Sequence, residues 1–215
     1  YASYTLTAHN PGGHSSQPRP DNAIYELADA LKALQGYSFP VMWNDWTIGG
    51  FLAAASSTPG ELGQAMAKFA ANPGDPQAAA VLAKSPSIVG RTRTTCVATM
   101  LAGGHADNAL PQSATATVNC RIFPGTRVAE VRDTLQQVAG DKIEVKVQGD
   151  SYEGPPSPLR DDVTAAVTRA VRASYPGVPV VPDMAPYYTD GSTFRGAGIP
   201  TYGVSSLFMK DLLQK

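Results

Sequence analysis

The stretch SATATVNCRIF, from Ser113 to Phe123, decides the fold of this chain. Ala, Ala, Val, Cys and Ile occupy every second position, and Thr, Thr, Asn and Arg stand between them. This period of two predicts a β-strand with one buried face. Arg121 is expected on the polar face, where its planar guanidinium can bind a carboxylate through two parallel hydrogen bonds. The spacing is equally compatible with a surface arginine that pairs with an acid.

The segments on either side predict further strands and two amphipathic helices, because apolar residues recur there at periods of two or about 3.6. The order strand, helix, strand, strand, helix, strand predicts an α+β, ferredoxin-like βαββαβ domain, with two helices on one face of an antiparallel sheet. Asp21 is expected to cap the first helix. The predicted strands cover residues 4–9, 94–101, 113–123 and 142–148, and the predicted helices cover 24–34 and 127–139.

Two regions depart from this alternation. The stretch 50–84 is rich in Ala, Gly and Pro, and it predicts a helical insert at about residues 50–90, with helices at 59–71 and 75–84. Beyond the Gly- and Pro-rich link 149–158, the patterns predict a helix, a short edge strand, a helical turn and a second strand. This tail is too short for a sheet of its own, so we expect it to complete a larger α/β unit. The four predicted tail elements cover 161–175, 178–181, 192–197 and 201–205.

The composition excludes several classes of partner. The chain has 18 acidic and 17 basic residues among 215, so it offers no electrostatic field for nucleic acid or an anionic membrane surface. No apolar run approaches the roughly 20 residues that span a bilayer. We expect the gene product to extend before Tyr1. The compartment stays open between the cytoplasm and the periplasm or exterior.

The two cysteines, Cys96 and Cys120, both fall in predicted strands. If those strands pair about a turn near Asn108, the thiols lie roughly opposite each other. A disulfide, which would imply an oxidising compartment, and two buried thiols are both compatible with this placement.

Polar loop residues are the candidates for chemistry. His14 follows two glycines in the stretch NPGGHSSQPRPDNA, so its ring can serve as a hydrogen-bond donor or simply face solvent. His105 and Asp107 form a His-x-Asp pair, but zinc needs three or four convergent ligands, so we expect no metal there. Asp190-Gly191-Ser192 does not fit the Gly-x-Ser-x-Gly pattern of a serine hydrolase.

Four short motifs in a fixed order carry a family resemblance. They are Gly13-His14-Ser15-Ser16 with the following RPDNA, GGHADNALP over 103–111, NCRIFPG over 119–125, and Thr189-Asp190-Gly191. In this order they resemble the zinc-dependent exopeptidase and aminoacylase metallopeptidases. This family includes glutamate carboxypeptidase, acetylornithine deacetylase and succinyl-diaminopimelate desuccinylase.

The resemblance implies a domain organisation. Residues 1–150 correspond to a lid, or dimerisation, domain that forms a homodimer. Residues 151–215 correspond to the C-terminal portion of an incomplete catalytic domain. Two zinc ions are implied for the intact enzyme, and none is expected to be bound by this chain alone. The resemblance also implies a loop missing between Phe208 and Met209.

The resemblance further implies roles for individual residues in a hydrolase that cleaves an amide bond of a peptide or N-acyl amino acid. His14 of one subunit's lid is the catalytic residue that stabilises an oxyanion in the other subunit. Asn108 and Arg121 bind the carboxylate of the substrate, and Asp190 and Gly191 line the pocket. The alternative is a non-catalytic ferredoxin-like module that dimerises or binds a small ligand.

Overall fold

A computed structural model describes residues 1–204 of the chain. These residues contain six strands and seven α-helices, with a 3₁₀ turn at Val89–Arg91. The strands are β1 (Ala2–His9), β2 (Gly13–His14), β3 (Thr95–Gly103), β4 (Ala109–Leu110), β5 (Ser113–Arg121) and β6 (Ile143–Gln148). The helices are α1 (Ala23–Gly36), α2 (Asp45–Ala55), α3 (Gly60–Ala71), α4 (Pro76–Ala83), α5 (Val128–Ala139), α6 (Asp161–Ser174) and α7 (Gly191–Gly196).

The main sheet has the strand order β3-β5-β1-β6, and each neighbouring pair is antiparallel. With α1 and α5 as the two crossovers, this is the ferredoxin-like βαββαβ topology that the sequence predicts. Strand β5 alternates as expected: Ala114, Ala116, Val118 and Cys120 are buried, whereas Arg121 is exposed. The α+β fold prediction is therefore confirmed.

The sheet and the insert have separate hydrophobic cores. Helices α1 and α5 cover one face of the sheet, where Leu27 and Leu135 are fully buried against Leu6 and Tyr4. Because Tyr4 carries a polar group into this core, its hydroxyl donates to the carbonyl of Val128 at 2.9 Å. Helices α2 to α4 form their own cluster, in which the rings of two phenylalanines meet edge to face at a centroid distance of 5.6 Å (Phe51 and Phe69).

Strands β3 and β5 are joined by a disulfide between Cys96 and Cys120. The two cysteines are direct partners in the ladder, as pairing about a turn near Asn108 predicts. A bulge interrupts the register between Ala98 and Met100. The structure thus selects the bridged alternative of the two that the sequence left open.

Several local features differ from the sequence-based prediction. Asn22, not Asp21, caps α1, because its side-chain oxygen accepts from the backbone of Ile24 at 2.9 Å and Asp21 pairs with Arg19 instead. The insert begins with a helix that the sequence analysis did not predict, α2, which Asn44 caps. The tail strand predicted at 178–181 does not form.

The failed tail strand has a physical reason. Pro179 and Pro182 cannot donate to a ladder, and no strand lies beside them in the part of the chain that the structure describes. Residues 201–204 are also not a strand. Residue 205 and the predicted break between Phe208 and Met209 lie outside the described residues. Among residues 1–204, no helix is both long and apolar enough to cross a membrane.

Candidate functional site

His14 and Asn108 meet at one end of the main sheet. The short strands β2 and β4 pair there, with His14 opposite Ala109, and the N–H of Ser15 donates to the carbonyl of Asn108 at 2.9 Å. Both side chains are exposed. Backbone pairing therefore brings together two loops that are almost a hundred residues apart in sequence, one carrying His14 and the other Asn108.

The loop that carries His14 is fixed at its base. Gly12 has φ +76°, and a Cβ there would lie 2.6 Å from the Cγ of Gln112, so only glycine fits. Arg19 donates two hydrogen bonds to Asp21, and Asn10 donates a third. These hydrogen bonds lower the pKa of Asp21 to about 2. The carboxylate therefore stays ionised, and the three hydrogen bonds persist, until the pH falls close to that value.

The contacts of the His14 ring favour the tautomer that carries its proton on Nε2. The backbone N–H of Ser16 donates to Nδ1 at 3.2 Å, and the Ser16 hydroxyl oxygen lies 2.8 Å from the same atom. A neutral imidazole whose Nδ1 accepts a backbone N–H must carry its proton on Nε2. His14 can therefore present one N–H donor to a ligand from an exposed position.

Arg121 lies at the opposite end of β5, in a cleft of about 100 Å³ between the sheet and the tail. Its guanidinium lies 5.5 Å from the ring centroid of Tyr1, a cation–π contact. Tyr1, Tyr152 and Tyr188 pack against one another with centroid distances of 4.7 to 5.8 Å. Arg121 has no acidic partner among residues 1–204, so the N–H groups of its guanidinium are available to bind a carboxylate.

The tail supplies a second guanidinium to this cleft. Arg195 donates to the hydroxyl of Ser192 at 3.0 Å, and both residues line the cleft. Gly191, the first residue of α7, lies close to the Arg195 side chain, since a Cβ on Gly191 would lie 3.0 Å from an Arg195 nitrogen. Gly191 and the exposed Asp190 thus stand beside the cleft, while Ser192 and Arg195 form its wall.

The two groups of site residues are far apart within one chain. Strand β5 starts beside the His14 loop and ends at Arg121, and its nine residues span roughly 27 Å at about 3.4 Å per residue. Asn108 and Arg121 therefore cannot contact the same carboxylate within one chain. A shared ligand requires the His14–Asn108 end of one chain and the Arg121 end of another.

The described residues do not form a metal centre. Among residues 1–204, no group of three or more His, Cys, Asp or Glu side chains is arranged to hold a metal ion. Both cysteines are joined to each other, and His9 lies against Glu144 rather than near His14. The residues present in this part of the chain therefore do not fit a zinc site.

Comparison with known proteins identifies the fold. The family model described as the peptidase dimerisation domain of M20 peptidases matches residues 1–146. The chain belongs to the M20 family. The sequence-based resemblance to zinc-dependent exopeptidases is thereby confirmed.

Curated M20 relatives match the chain beyond the dimerisation domain. The N-fatty-acyl-amino acid synthase/hydrolase PM20D1 of Xenopus tropicalis is 30% identical over 95% of this chain and 40% of its own length. The probable carboxypeptidase S-like 2 of Dictyostelium discoideum is 28% identical over 83% of this chain and 34% of its own length. The chain thus spans about two-fifths or less of these relatives.

Solved M20 structures share the fold at lower identity. The metallo-carboxypeptidase Sso-CP2 of Sulfolobus solfataricus has a TM-score of 0.51 at 17% identity, covering 92% of this chain and 55% of its own. The dipeptidase Dug1p of Saccharomyces cerevisiae has a TM-score of 0.52 at 12% identity, covering 92% of this chain and 45% of its own.

Most of the residues that surround Arg121 in its cleft could not be predicted from the sequence. Tyr1, Tyr152, Tyr188 and Arg195 belong to no motif quoted above, and they come from three distant parts of the chain. The motifs at Arg121 and at Asp190-Gly191 indicate two parts of this cleft, but no periodic pattern links a strand end to the loop that carries Tyr152 or to the first residue.

Proposed function

We propose that this chain is part of an M20 amidohydrolase that cleaves an amide bond of a peptide or N-acyl amino acid. Residues 1–150 would form the lid and dimerisation domain, and residues 151–215 would form the C-terminal portion of the catalytic domain. The proposal includes two zinc ions in the whole protein, held outside residues 1–204. Family membership and the carboxypeptidase and N-acyl-amino acid hydrolase relatives support it.

The unpaired guanidinium of Arg121 is the observation that carries this proposal. An arginine that lines a cleft and has no acidic partner keeps its donors free, and a carboxylate is the ligand whose two oxygens match the planar guanidinium. The tyrosine side chains beside it can contact the body of the substrate. In this role Arg121 would hold the terminal carboxylate, with Asp190 and Gly191 next to the same pocket.

His14 would act at the scissile amide. When the carbonyl carbon becomes tetrahedral, its oxygen gains negative charge, and a fixed N–H donor stabilises that charge more than it stabilises the substrate. The Nε2–H of His14 is such a donor, because Ser16 occupies Nδ1. Asn108, held beside His14, would contact the same substrate through its carboxamide.

This arrangement requires a homodimer, which we propose forms through the lid. Strand β3 is an edge strand, paired only with β5, and its apolar side chains Val97, Met100 and Leu101 are 63 to 70% exposed. An exposed apolar edge strand readily pairs with another chain. A second copy joined at β3 would cover it and bring the His14 end of one chain to the other chain.

Leu101→Lys should weaken the dimer. A homodimer carries the substitution in both chains, so a cost of about 2 kcal/mol for each buried leucine replaced by a charge gives about 4 kcal/mol in total, and the dissociation constant should rise by about a thousandfold. Sedimentation equilibrium of the full-length protein measures this. Leu52→Lys, at a leucine 67% exposed on α2, is the matched control and should leave the dimer intact. Equal dissociation constants for both variants would contradict pairing at β3.

Arg121→Ala tests the proposed function itself. Loss of a two-bond contact to a carboxylate should raise KM about 10- to 100-fold while kcat changes little. The full-length protein is assayed on an N-acyl amino acid and on the same compound with its carboxylate converted to a carboxamide. Wild type should prefer the free acid, and the variant should lose that preference.

Arg169→Ala, at an exposed arginine on α6, is the control and should behave as wild type. An unchanged preference in Arg121→Ala would contradict the role of Arg121. The alternative, a non-catalytic module that dimerises or binds a small ligand, rests on the lack of a metal cluster in residues 1–204. Absence of any amide hydrolysis by the zinc-loaded full-length protein would favour that alternative.

A further inference from the structure

Residues 182–188, here called the strap, cross the helical insert and pack against three of its glycines. A Cβ on Gly49 would lie 2.5 Å from Pro182, one on Gly50 would lie 3.1 Å from the Pro182 carbonyl oxygen, and one on Gly90 would lie 2.8 Å from Pro186. At these three positions even alanine would push the strap away. The insert therefore contacts the tail so closely that side chains are excluded between them.

Polar contacts hold the strap in this position. Arg91 Nη1 donates to Asp183 at 2.6 Å, in an ion pair whose arginine side chain is only 25% exposed. Asn44, the cap of α2, directs its side-chain amide at the sulfur of Met184 at 3.4 Å. Outside the strap, a further hydrogen bond joins the insert region to the tail, in which the Trp46 indole donates to the carbonyl of Ser157 at 2.7 Å.

The far end of the strap forms part of the Arg121 cleft. Tyr188 packs on Tyr152 at 4.7 Å and on Tyr1 at 5.2 Å, and Tyr1 lies under the Arg121 guanidinium. Thr189, Asp190 and Gly191 follow Tyr188 directly. Only four residues separate Asp183 from Tyr188, so a shift at the ion pair is passed along a short, proline-restricted segment.

We propose that the helical insert is a positioning element for the substrate cleft, with Arg91 and Asp183 as its positioning residues. By fixing the strap, this pair sets where the Tyr188 ring and the Asp190-Gly191 turn stand relative to Arg121. Neither residue touches the substrate. The inference rests on the proposed function, because it assigns the cleft to the substrate's carboxylate end.

The test compares Asp183→Asn, Arg91→Gln and the exchange Arg91→Asp with Asp183→Arg in the full-length protein. Each single variant should raise KM about three- to tenfold and leave kcat within about twofold, because ground-state positioning is lost while the His14 end is untouched. The exchanged pair should return KM toward the wild-type value. Asp162→Asn, which breaks the exposed Arg160–Asp162 pair on α6, is the matched control and should not change KM.

Hydrogen exchange gives a readout that does not depend on activity. Amides of residues 187–193 should exchange faster in the single variants, while those of β1 and β5 keep their protection, which also shows that the variants are folded. Unchanged exchange at 187–193, or a KM that moves equally in Asp162→Asn, would overturn the inference. Absence of hydrolysis in wild type would instead refute the proposed function, and the exchange result would still decide whether Arg91 and Asp183 fix the strap.

Discussion

His14→Ala in the full-length protein should lower kcat by about 10² to 10³, the usual cost of removing one preorganised donor from an oxyanion site. KM and zinc content should stay close to wild type, because the ring is exposed and none of the described residues near it forms a metal cluster. Steady-state kinetics with metal analysis measure all three quantities.

His9→Ala is the control, since His9 is another exposed histidine, at the end of β1. A mixture of His14→Ala and Arg121→Ala subunits adds a sharper test. If the site combines His14 of one chain with Arg121 of the other, mixed dimers contain one intact site and regain a kcat/KM, measured at low substrate concentration, that neither variant has alone. A small change in kcat for His14→Ala, or a mixture no more active than its parts, would contradict the proposed arrangement.

Reduction of the Cys96–Cys120 disulfide should lower the free energy of unfolding by about 3 kcal/mol, because the bridge closes a loop with a sequence separation of 24 residues. Thermal unfolding of the protein with and without a thiol reductant measures the effect as a fall in the midpoint temperature.

Cys96→Ala with Cys120→Ala should unfold at about the midpoint of the reduced wild type and should not respond to reductant. This variant separates loss of the bridge from any general effect of the reductant. A wild-type midpoint that is insensitive to reductant, with the thiols shown to be free, would contradict a stabilising role for the bridge.

The sheet could be predicted from sequence because each strand carries its own signal. Alternation in β5 specifies both its conformation and its buried face, and the position of the turn near Asn108 sets the pairing of Cys96 with Cys120. Alternation does not report oxidation, so the disulfide stayed open until the structure was known. Pro179 and Pro182 explain why the apolar run 178–181 is not a strand, since each proline removes an N–H that a ladder would need.

The site was less predictable, because its residues meet through contacts with no periodic pattern. The ladder that joins His14 to Ala109 is two residues long, too short to leave any alternation. The tyrosines around Arg121 come from the first residue, the link after β6 and the strap. Motif order indicated His14, Asn108, Arg121, Asp190 and Gly191, but only coordinates separate them into two groups at opposite ends of β5.

That separation gives the proposed enzyme an unusual dependence on its own abundance. Under the proposed function, neither end of a sheet roughly 27 Å long can work without the other end of a second molecule. Specific activity would then fall on dilution below the dissociation constant, even though every monomer stays folded and metal-loaded. The rates of synthesis and degradation would thus set the specific activity of the protein as well as its concentration.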